Sequence, residues 1–574
     1  MGFKITEVFQ PKVLELFKKG YYNKETFTAD LIAGIIVGIV ALPLAIAFGI
    51  ASGVTPQQGL ITAVVAGFLV SLLGGSNFLI GGPTGAFIVI VYGIVAQYGM
   101  SGLIIATVLA GIMLVVMGIF KLGTIIKFIP YPIVVGFTSG IATVIFSTQI
   151  KDLFGLQIEK VPSEFIPQWG AYLKNLATIN PYETALGLIC LFIIIFWPRV
   201  TRKIPGSLIA IIVGTSGALL LSQFAGIEFA TIGTKFPELA DGIQMPSPQV
   251  PDISWETAQK MFQPAFTIAL LCAIESLLAA MVADGVTGKR HNANTELIGQ
   301  GVANIITPFF GGIPATGAIA RTMTSINNGG RTPVTGLIHA VVLLLIFLFL
   351  MPYAVYIPLA CLAAILVIVA YNMSEWRTFK YLLKGDKTDI AVLLITYFLT
   401  VLIDLTVAIE VGLVLAILLF VKRVSETSSI KMLTGETVPG TENEELAQLS
   451  NTEHIDVPKG VEIYEIDGPF FFGLASKLDE LDRDLGKKHL KVRIIRMRKV
   501  PFMDSTGLNN LRSLYKRSTG EGVQIILSGV NEKVLLYLRK AGFTREIGEQ
   551  YIFPHIIPAL AKATEIAEKK TTKT

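Results

Sequence analysis

Long apolar runs joined by short polar connections leave this chain few ways to fold. Leu31 to Ile50 and Thr335 to Leu350 are two such runs, and others recur as far as Lys422. A stretch of roughly 18 or more apolar residues with few charges crosses a bilayer as a helix. Lipid offers no partner to an unpaired backbone N–H or C=O, so the helix must satisfy its own. The composition agrees: 16% of the 574 residues are charged, whereas a soluble domain is usually about one quarter charged. No short apolar segment with a small-residue cleavage site opens the chain, so no removed signal peptide is expected. Residues 1–27 are instead basic, with Lys4, Lys12, Lys18, Lys19 and Lys24, and amphipathic.

The membrane part is expected over 28–422, as about 14 hydrophobic segments. They begin near residues 28, 58, 83, 101, 128, 178, 205, 262, 293, 315, 333, 357, 386 and 406. With the N-terminus in the cytoplasm, Lys121, Arg199, Lys289/Arg290, Arg331, Arg377/Lys380 and Lys422/Arg423 all fall on the cytoplasmic side. The opposite short loops carry almost no Lys or Arg, as the positive-inside rule requires. An even number of spans returns the C-terminus to the cytoplasm, and an inner (plasma) membrane location is expected. The net charge of +5 is therefore a matter of orientation and not of nucleic-acid binding.

A repeat divides this region. Ala51-Ser52-Gly53-Val54-Thr55 is echoed by Ala283-Asp284-Gly285-Val286-Thr287. About thirty residues after each comes a second echo: Gly81-Gly82-Pro83-Thr84-Gly85-Ala86, then Gly311-Gly312-Ile313-Pro314-Ala315-Thr316-Gly317-Ala318. The repeat implies two halves of about seven spans each, and an odd number per half makes them antiparallel, an inverted repeat. Beyond Lys422 the texture changes. Residues 423–459 are polar and read as a linker. Residues 460–565 alternate strand and helix patterns, including a helix over Leu474 to Leu485, and form a small α/β domain. A polar tail follows at 566–574.

The two Pro-led segments carry the chemistry. A helix starting abruptly after Gly-Gly-Pro or Ile-Pro has unpaired N–H groups at its first turn, and these attract an anion. Thr84, Gly85, Ala86, Thr316, Gly317 and Ala318 would offer backbone donors and small side chains. Arg321, seven residues after Pro314, is expected on the same helical face two turns along. An arginine at membrane depth marks a pathway or a substrate counter-charge, or else a structural pair with a carboxylate such as Glu275. Glu275 itself, inside an apolar span, pairs with Arg321 or carries a coupling cation, H⁺ or Na⁺. The five histidines lack ligand spacing, and Cys190, Cys272 and Cys361 sit in apolar segments as small core residues. No metal, no cofactor and no enzymatic constellation is expected. Without a Walker-type motif, an ATP-driven pump is unsupported.

The membrane part resembles the SulP family of anion transporters, which includes sulfate permeases and bicarbonate transporters. The resemblance rests on Ala29-Asp30-Leu31-Ile32-Ala33-Gly34 with Val40-Ala41-Leu42-Pro43, on Gly82-Pro83-Thr84, and on the Arg321 segment ending at Gly330-Arg331-Thr332-Pro333. The C-terminal part resembles a STAS domain through Met503-Asp504-Ser505-Thr506-Gly507-Leu508. What the resemblance implies is a 14-span fold of core and gate domains, homodimeric, moving its substrate by an elevator-like motion. It places the anion site at Thr84 to Phe87 and Thr316 to Ala318, with Arg321 and Glu275 matching the family's arginine and acidic positions. Ser505 matches a serine phosphorylated in bacterial anti-sigma antagonists, although opening a helix is reason enough for a serine there. Leu44 departs from the family, where many members have Gln. The expected function is secondary active transport of a small inorganic anion, sulfate or bicarbonate, by H⁺ or Na⁺ symport. A C4-dicarboxylate or nucleobase carrier of related fold, and a passive anion channel or exchanger, remain the alternatives.

Overall fold

Side-chain caps decide where many of the membrane helices begin. Ahead of Pro56, Thr55 Oγ1 accepts the Gln58 N–H while Gln58 Oε1 accepts the Thr55 N–H, a reciprocal box that opens a helix. Asn180 and Asn292 cap two others through their side-chain oxygens. In a computed structural model, residues 9–19, 22–124, 130–159, 161–162, 164–201, 204–237, 239, 255–403, 405–433, 457–471 and 490–571 are described. The helices of eight or more residues are α1 (Lys12–Lys19), α2 (Lys24–Ala51), α3 (Pro56–Leu73), α4 (Ile88–Ile119), α5 (Tyr131–Phe154), α6 (Phe165–Lys174), α7 (Pro181–Phe196) and α8 (Gly206–Ala225). They continue as α9 (Trp255–Thr287), α10 (Ala293–Ile306), α11 (Ile319–Asn327), α12 (Val334–Ala354), α13 (Leu359–Met373), α14 (Lys387–Leu402) and α15 (Leu405–Thr427). Among the described residues, nine helices are long and apolar enough to cross a membrane. The segments expected from 83 and from 101 are two helical stretches of α4, separated at Gly99 by a non-helical kink whose positive φ of 68° only glycine adopts readily.

The two short strands β1 (Gly81–Gly82) and β2 (Thr316–Gly317) pair antiparallel, Gly81 opposite Gly317 and Gly82 opposite Thr316. The helices around them pack in a pattern that repeats when the halves are exchanged. α2 packs on α12 as α9 packs on α4, and α3 packs on α12 as α10 packs on α4. A second group, α5, α7, α8, α13 and α14, packs mainly within itself. The seam between α7, α8 and α13 is filled by small side chains, Cys190, Ala210, Ala218, Cys361, Ala363 and Ala364. Two of the quoted sequence stretches, far apart in the chain, meet at Asp30. Its buried carboxylate accepts the backbone N–H groups of Arg331 (2.7 Å) and Thr332 (3.2 Å) and the Thr335 hydroxyl (2.9 Å). It thereby fastens the start of α12 to α2, with the negative charge at a helix N-terminus where the dipole favours it.

The chain divides into two units, Met1–Ala416 and Ile417–Thr574. The second holds a five-stranded sheet in the order β3 (Ser429–Leu433), β4 (Val461–Asp467), β5 (Val492–Lys499), β6 (Gln524–Ser528), β7 (Ile552–Phe553). β3 runs antiparallel to β4, and the other neighbours are parallel. Alternation along the strands sends Tyr464, Ile466, Ile495 and Leu527 to one face, against Leu508, Leu511 and Leu514 of α16 (Ser505–Gly520). Val461, Ile463, Val492, Ile494 and Ile526 face the other way, against Ala559 and Ala563 of α17 (Ile556–Thr571). Two expected boundaries move. The polar stretch 423–459 is not all linker, because Ser429–Leu433 supplies the edge strand of the sheet. The tail expected from 566 begins later, because α17 continues to Thr571. In both places backbone pairing outweighs polar composition. The helix expected over Leu474 to Leu485 lies outside the described residues.

Candidate functional site

Neither Pro-led segment turns helical at its proline. Gly81-Gly82 and Thr316-Gly317 are extended and bond to each other, and the pairing is prolonged by the Ala318 N–H donating to the Ile80 carbonyl at 2.9 Å. The Ile80 N–H in turn donates to Thr322 Oγ1 at 3.1 Å. Gly82, with φ of +148°, holds a conformation that a side chain resists. One 3₁₀ turn, Gly85–Phe87, then leads into α4, and α11 begins only at Ile319. Arg321 therefore lies in the first turn of its helix. The expectation that placed it two turns from Pro314 on one helical face is corrected by these extended residues.

A single helix, α9, holds both segments. Thr84 Oγ1 donates to Glu275 Oε2 at 3.0 Å. The next residue, Ser276, meets the matching threonine of the other half, with Oγ 2.7 Å from Thr316 Oγ1, and it accepts the Gly317 N–H at 3.0 Å. Thr316 Oγ1 also lies 3.1 Å from the Cys272 carbonyl, to which it donates. Asn304 of α10 satisfies both backbone groups of Ala315, accepting its N–H at 2.9 Å and donating to its carbonyl at 2.8 Å. An extended strand at membrane depth is tolerable only when its backbone groups are bonded in this way.

These bonds redistribute the donors that sequence reasoning assigned to an anion. The N–H groups of Gly317 and Ala318 are used inside the protein. Among the described residues, the N–H groups of Gly85 and Ala86, and of Ile319, Ala320 and Arg321, have no acceptor. They are the open first turns of two helix starts, where the backbone carries partial positive charge. Thr84 is half-buried, Phe87 is buried, and a Cβ on Gly85 would meet Met373 Sδ at 2.7 Å, so α13 approaches closely here.

Arg321 is 1% exposed. Its Nη2 donates to the Pro83 carbonyl at 2.9 Å, and its Nη1 has no partner. Among the described residues no carboxylate lies within ion-pair distance of the guanidinium, and Glu275, half-buried, is bonded to Thr84 instead. The anticipated Arg321–Glu275 pair is thus absent. A buried cation without a carboxylate partner costs several kcal/mol in order of magnitude.

Sequence reasoning missed Glu296, whose Oε2 accepts the N–H groups of Gly75 (2.8 Å) and Ser76 (3.1 Å) while Oε1 accepts from Gln300 (3.0 Å). Two of these bonds tie α10 to the turn after α3 and the third stays within α10, so its role is structural. It looks like Glu275 in sequence, both being carboxylates in apolar surroundings, and only the bonding separates them. In the second unit, Ser505 is exposed and is the first residue of α16. The cap is Asp504, which accepts the Gly507 N–H at 2.7 Å, so capping does not account for Ser505. Among the described residues, no group of three or more His, Cys, Asp or Glu side chains is placed to hold a metal.

The family model described as the sulfate permease family matches residues 27–396, and that of the STAS domain matches residues 454–563. A putative sulfate transporter of Bacillus subtilis, YvdB, is 42% identical, covering 93% of this chain and 97% of its own. The bicarbonate transporter BicA of Picosynechococcus is 32% identical over 83% of this chain and 84% of its own. The solved inward-facing structure of the murine anion transporter Slc26a9 superposes with a TM-score of 0.85 at 19% identity, over 98% of this chain and 94% of that one. At that identity the likeness concerns the fold alone.

Proposed function

The chain belongs to the sulfate permease family, and from that premise we propose that it is a secondary active carrier of a small inorganic anion, sulfate or bicarbonate. The carrying observation is Arg321, buried and, among the described residues, without a carboxylate partner, in the first turn of a helix whose first N–H groups are open. The anion sits between the two helix starts, against Thr84, Gly85, Ala86 and Phe87 on one side and Thr316, Gly317, Ala318 and Arg321 on the other. Backbone N–H groups of Gly85, Ala86, Ile319 and Ala320 and the free guanidinium Nη1 donate to it. Gly317 and Ala318 act indirectly, by fixing the strand.

Glu275 takes the coupling cation, H⁺ or Na⁺. Its carboxylate faces the same crossing as Arg321 but is held by a hydroxyl rather than by a cation. The names of the relatives, sulfate transporter and bicarbonate transporter, support the substrate class. The packing of the membrane helices as two groups with few contacts between them supports an elevator-like displacement of one against the other. The protein works as a homodimer in the plasma membrane with both termini cytoplasmic, and exposed Ser505 offers a regulatory phosphorylation site.

Uptake of labelled sulfate, bicarbonate and fumarate into proteoliposomes, under imposed pH and Na⁺ gradients, tests this reading. Saturable uptake of one inorganic anion, driven by one gradient, is expected. Fumarate uptake with neither inorganic anion competing would establish a dicarboxylate carrier, and non-saturating currents would establish a channel.

A further inference from the structure

The three cysteines of the chain sit in two different settings. Cys272 of α9 has no second thiol beside it. Its Sγ lies 3.3 Å from the Ala315 carbonyl, and its other polar neighbours are Asn304, Gln300 and Ser276. Cys190 of α7 and Cys361 of α13, 171 positions apart in sequence, meet with their sulfurs 3.2 Å apart. Both are fully buried, and both are free thiols.

The face of α8 shows how the pair is accommodated. Ala210, Gly214 and Ala218 recur every four residues and so share one side of that helix. A Cβ on Gly214 would stand 2.3 Å from Cys361 Sγ and 2.9 Å from Cys190 Sγ, so the helix backbone passes directly over both sulfurs. The Cys190 thiol has two acceptors in reach, the Cys361 sulfur and the Ala210 carbonyl at 3.5 Å. At 3.2 Å no atom fits between the sulfurs. A free cysteine packs as a small hydrophobe, a role alanine would also fill, but two thiols in contact have a chemistry that alanine lacks.

We propose that Cys190 and Cys361 form a redox site, a dithiol that a peroxide converts into a disulfide fastening α7 to α13. One sulfur attacks hydrogen peroxide, the O–O bond breaks, and a sulfenic acid forms with release of one water. The second sulfur then attacks the first, the S–S bond forms as the S–O bond breaks, and a second water leaves. The two thiols lose two electrons and two hydrogens, and one hydrogen peroxide becomes two waters. The sulfurs close from 3.2 Å to about 2.05 Å, a movement of roughly 1.2 Å shared between two side chains. Hydrogen peroxide is small and uncharged, so an apolar seam does not repel it. Cys272, without a partner thiol, stays reduced. This inference does not depend on which anion is carried.

The test treats the full chain in proteoliposomes with hydrogen peroxide, then unfolds it and labels the remaining thiols with N-ethylmaleimide for mass spectrometry. Untreated protein labels at all three cysteines, and treated protein labels at Cys272 alone, a loss of two of three thiols. Peptides holding Cys190 and Cys361 are recovered linked and lighter by two hydrogens, and dithiothreitol separates them. Cys361→Ala leaves Cys190 unlinked, with no bond to Cys272. The disulfide closes a loop of 171 residues and so restricts the unfolded chain. The oxidised protein therefore unfolds several degrees higher than the reduced one. The proposal is overturned if both thiols persist while glutathione enclosed in the same vesicles is fully oxidised. It is equally overturned by oxygen gain at Cys190 or Cys361 without a link, by a link between two copies of the chain, or by a linked protein that unfolds no higher. Should the alanine variant not accumulate, the labelling pattern of the wild-type chain decides alone.

Discussion

The two crossing segments match in backbone and differ in charge. Both are extended glycine-containing strands that face each other in antiparallel register, and each leads into a helix with an open first turn. Each presents a threonine to α9, yet the partners are neighbours of opposite character. Thr84 meets the carboxylate of Glu275, and Thr316 meets the neutral hydroxyl of Ser276. The second segment alone carries a cation, Arg321. Repetition therefore accounts for where the two segments meet, and in the reading proposed above the unlike side chains account for what each half binds, an anion beside Arg321 and a cation beside Glu275.

The comparison is tested most severely at its charged end. Arg321→Ala should lower saturable anion uptake by about 100-fold or more, since an intramembrane counter-charge has no substitute nearby. Arg321→Lys should retain only a small part of it, lacking the planar fork. Equal loss from Glu275→Ala for anion binding itself would erase the proposed division of labour. Next in size is Gly82→Ala, which forces a Cβ into Arg321 Nη1 at a strained φ. It should cost roughly 2–4 kcal/mol, read as thermal unfolding in detergent. Gly93→Ala, in α4 with nothing within 4 Å of the added Cβ, should be neutral or slightly stabilising. A smaller and more selective effect is expected of Glu275→Gln. Anion counterflow should persist within about threefold of wild type while accumulation driven by the coupling gradient is lost, as expected when an intramembrane carboxylate carries the coupling ion. Among the site variants the smallest effect is expected of Thr84→Val, which removes the hydroxyl from Glu275 at a cost of about 1 kcal/mol. It should shift the half-saturation for the coupling ion several-fold, and Thr316→Val should leave that quantity unchanged.

Part of the candidate site's layout is legible in the sequence. The paired Gly/Pro echoes located both segments because a glycine–proline start is a local property of the chain, visible without knowing what lies opposite. Arg321 and Glu275 stood out because ionisable groups are costly in apolar surroundings wherever the chain goes. Three features were not legible. The strand character of Thr316 and Gly317 depends on bonds to residues over two hundred positions away. The separation of Arg321 from Glu275 depends on which side chain Thr84 engages. The edge strand Ser429–Leu433 was hidden in a polar stretch, because pairing with β4 rather than hydrophobic patterning makes it a strand.

By itself the sequence determined a helical membrane protein with a repeated pair of interrupted segments and a separate α/β domain. Hydrophobic length, turn residues and strand alternation are properties of neighbours in the chain, and these suffice for such conclusions. Tertiary structure alone decided that the two interrupted segments bond to each other as strands and that Gly317 and Ala318 spend their donors internally. It also decided that, among the described residues, Arg321 is left without a carboxylate. Each of these is a contest among distant groups for a limited set of hydrogen-bond partners at membrane depth, where water cannot settle the difference.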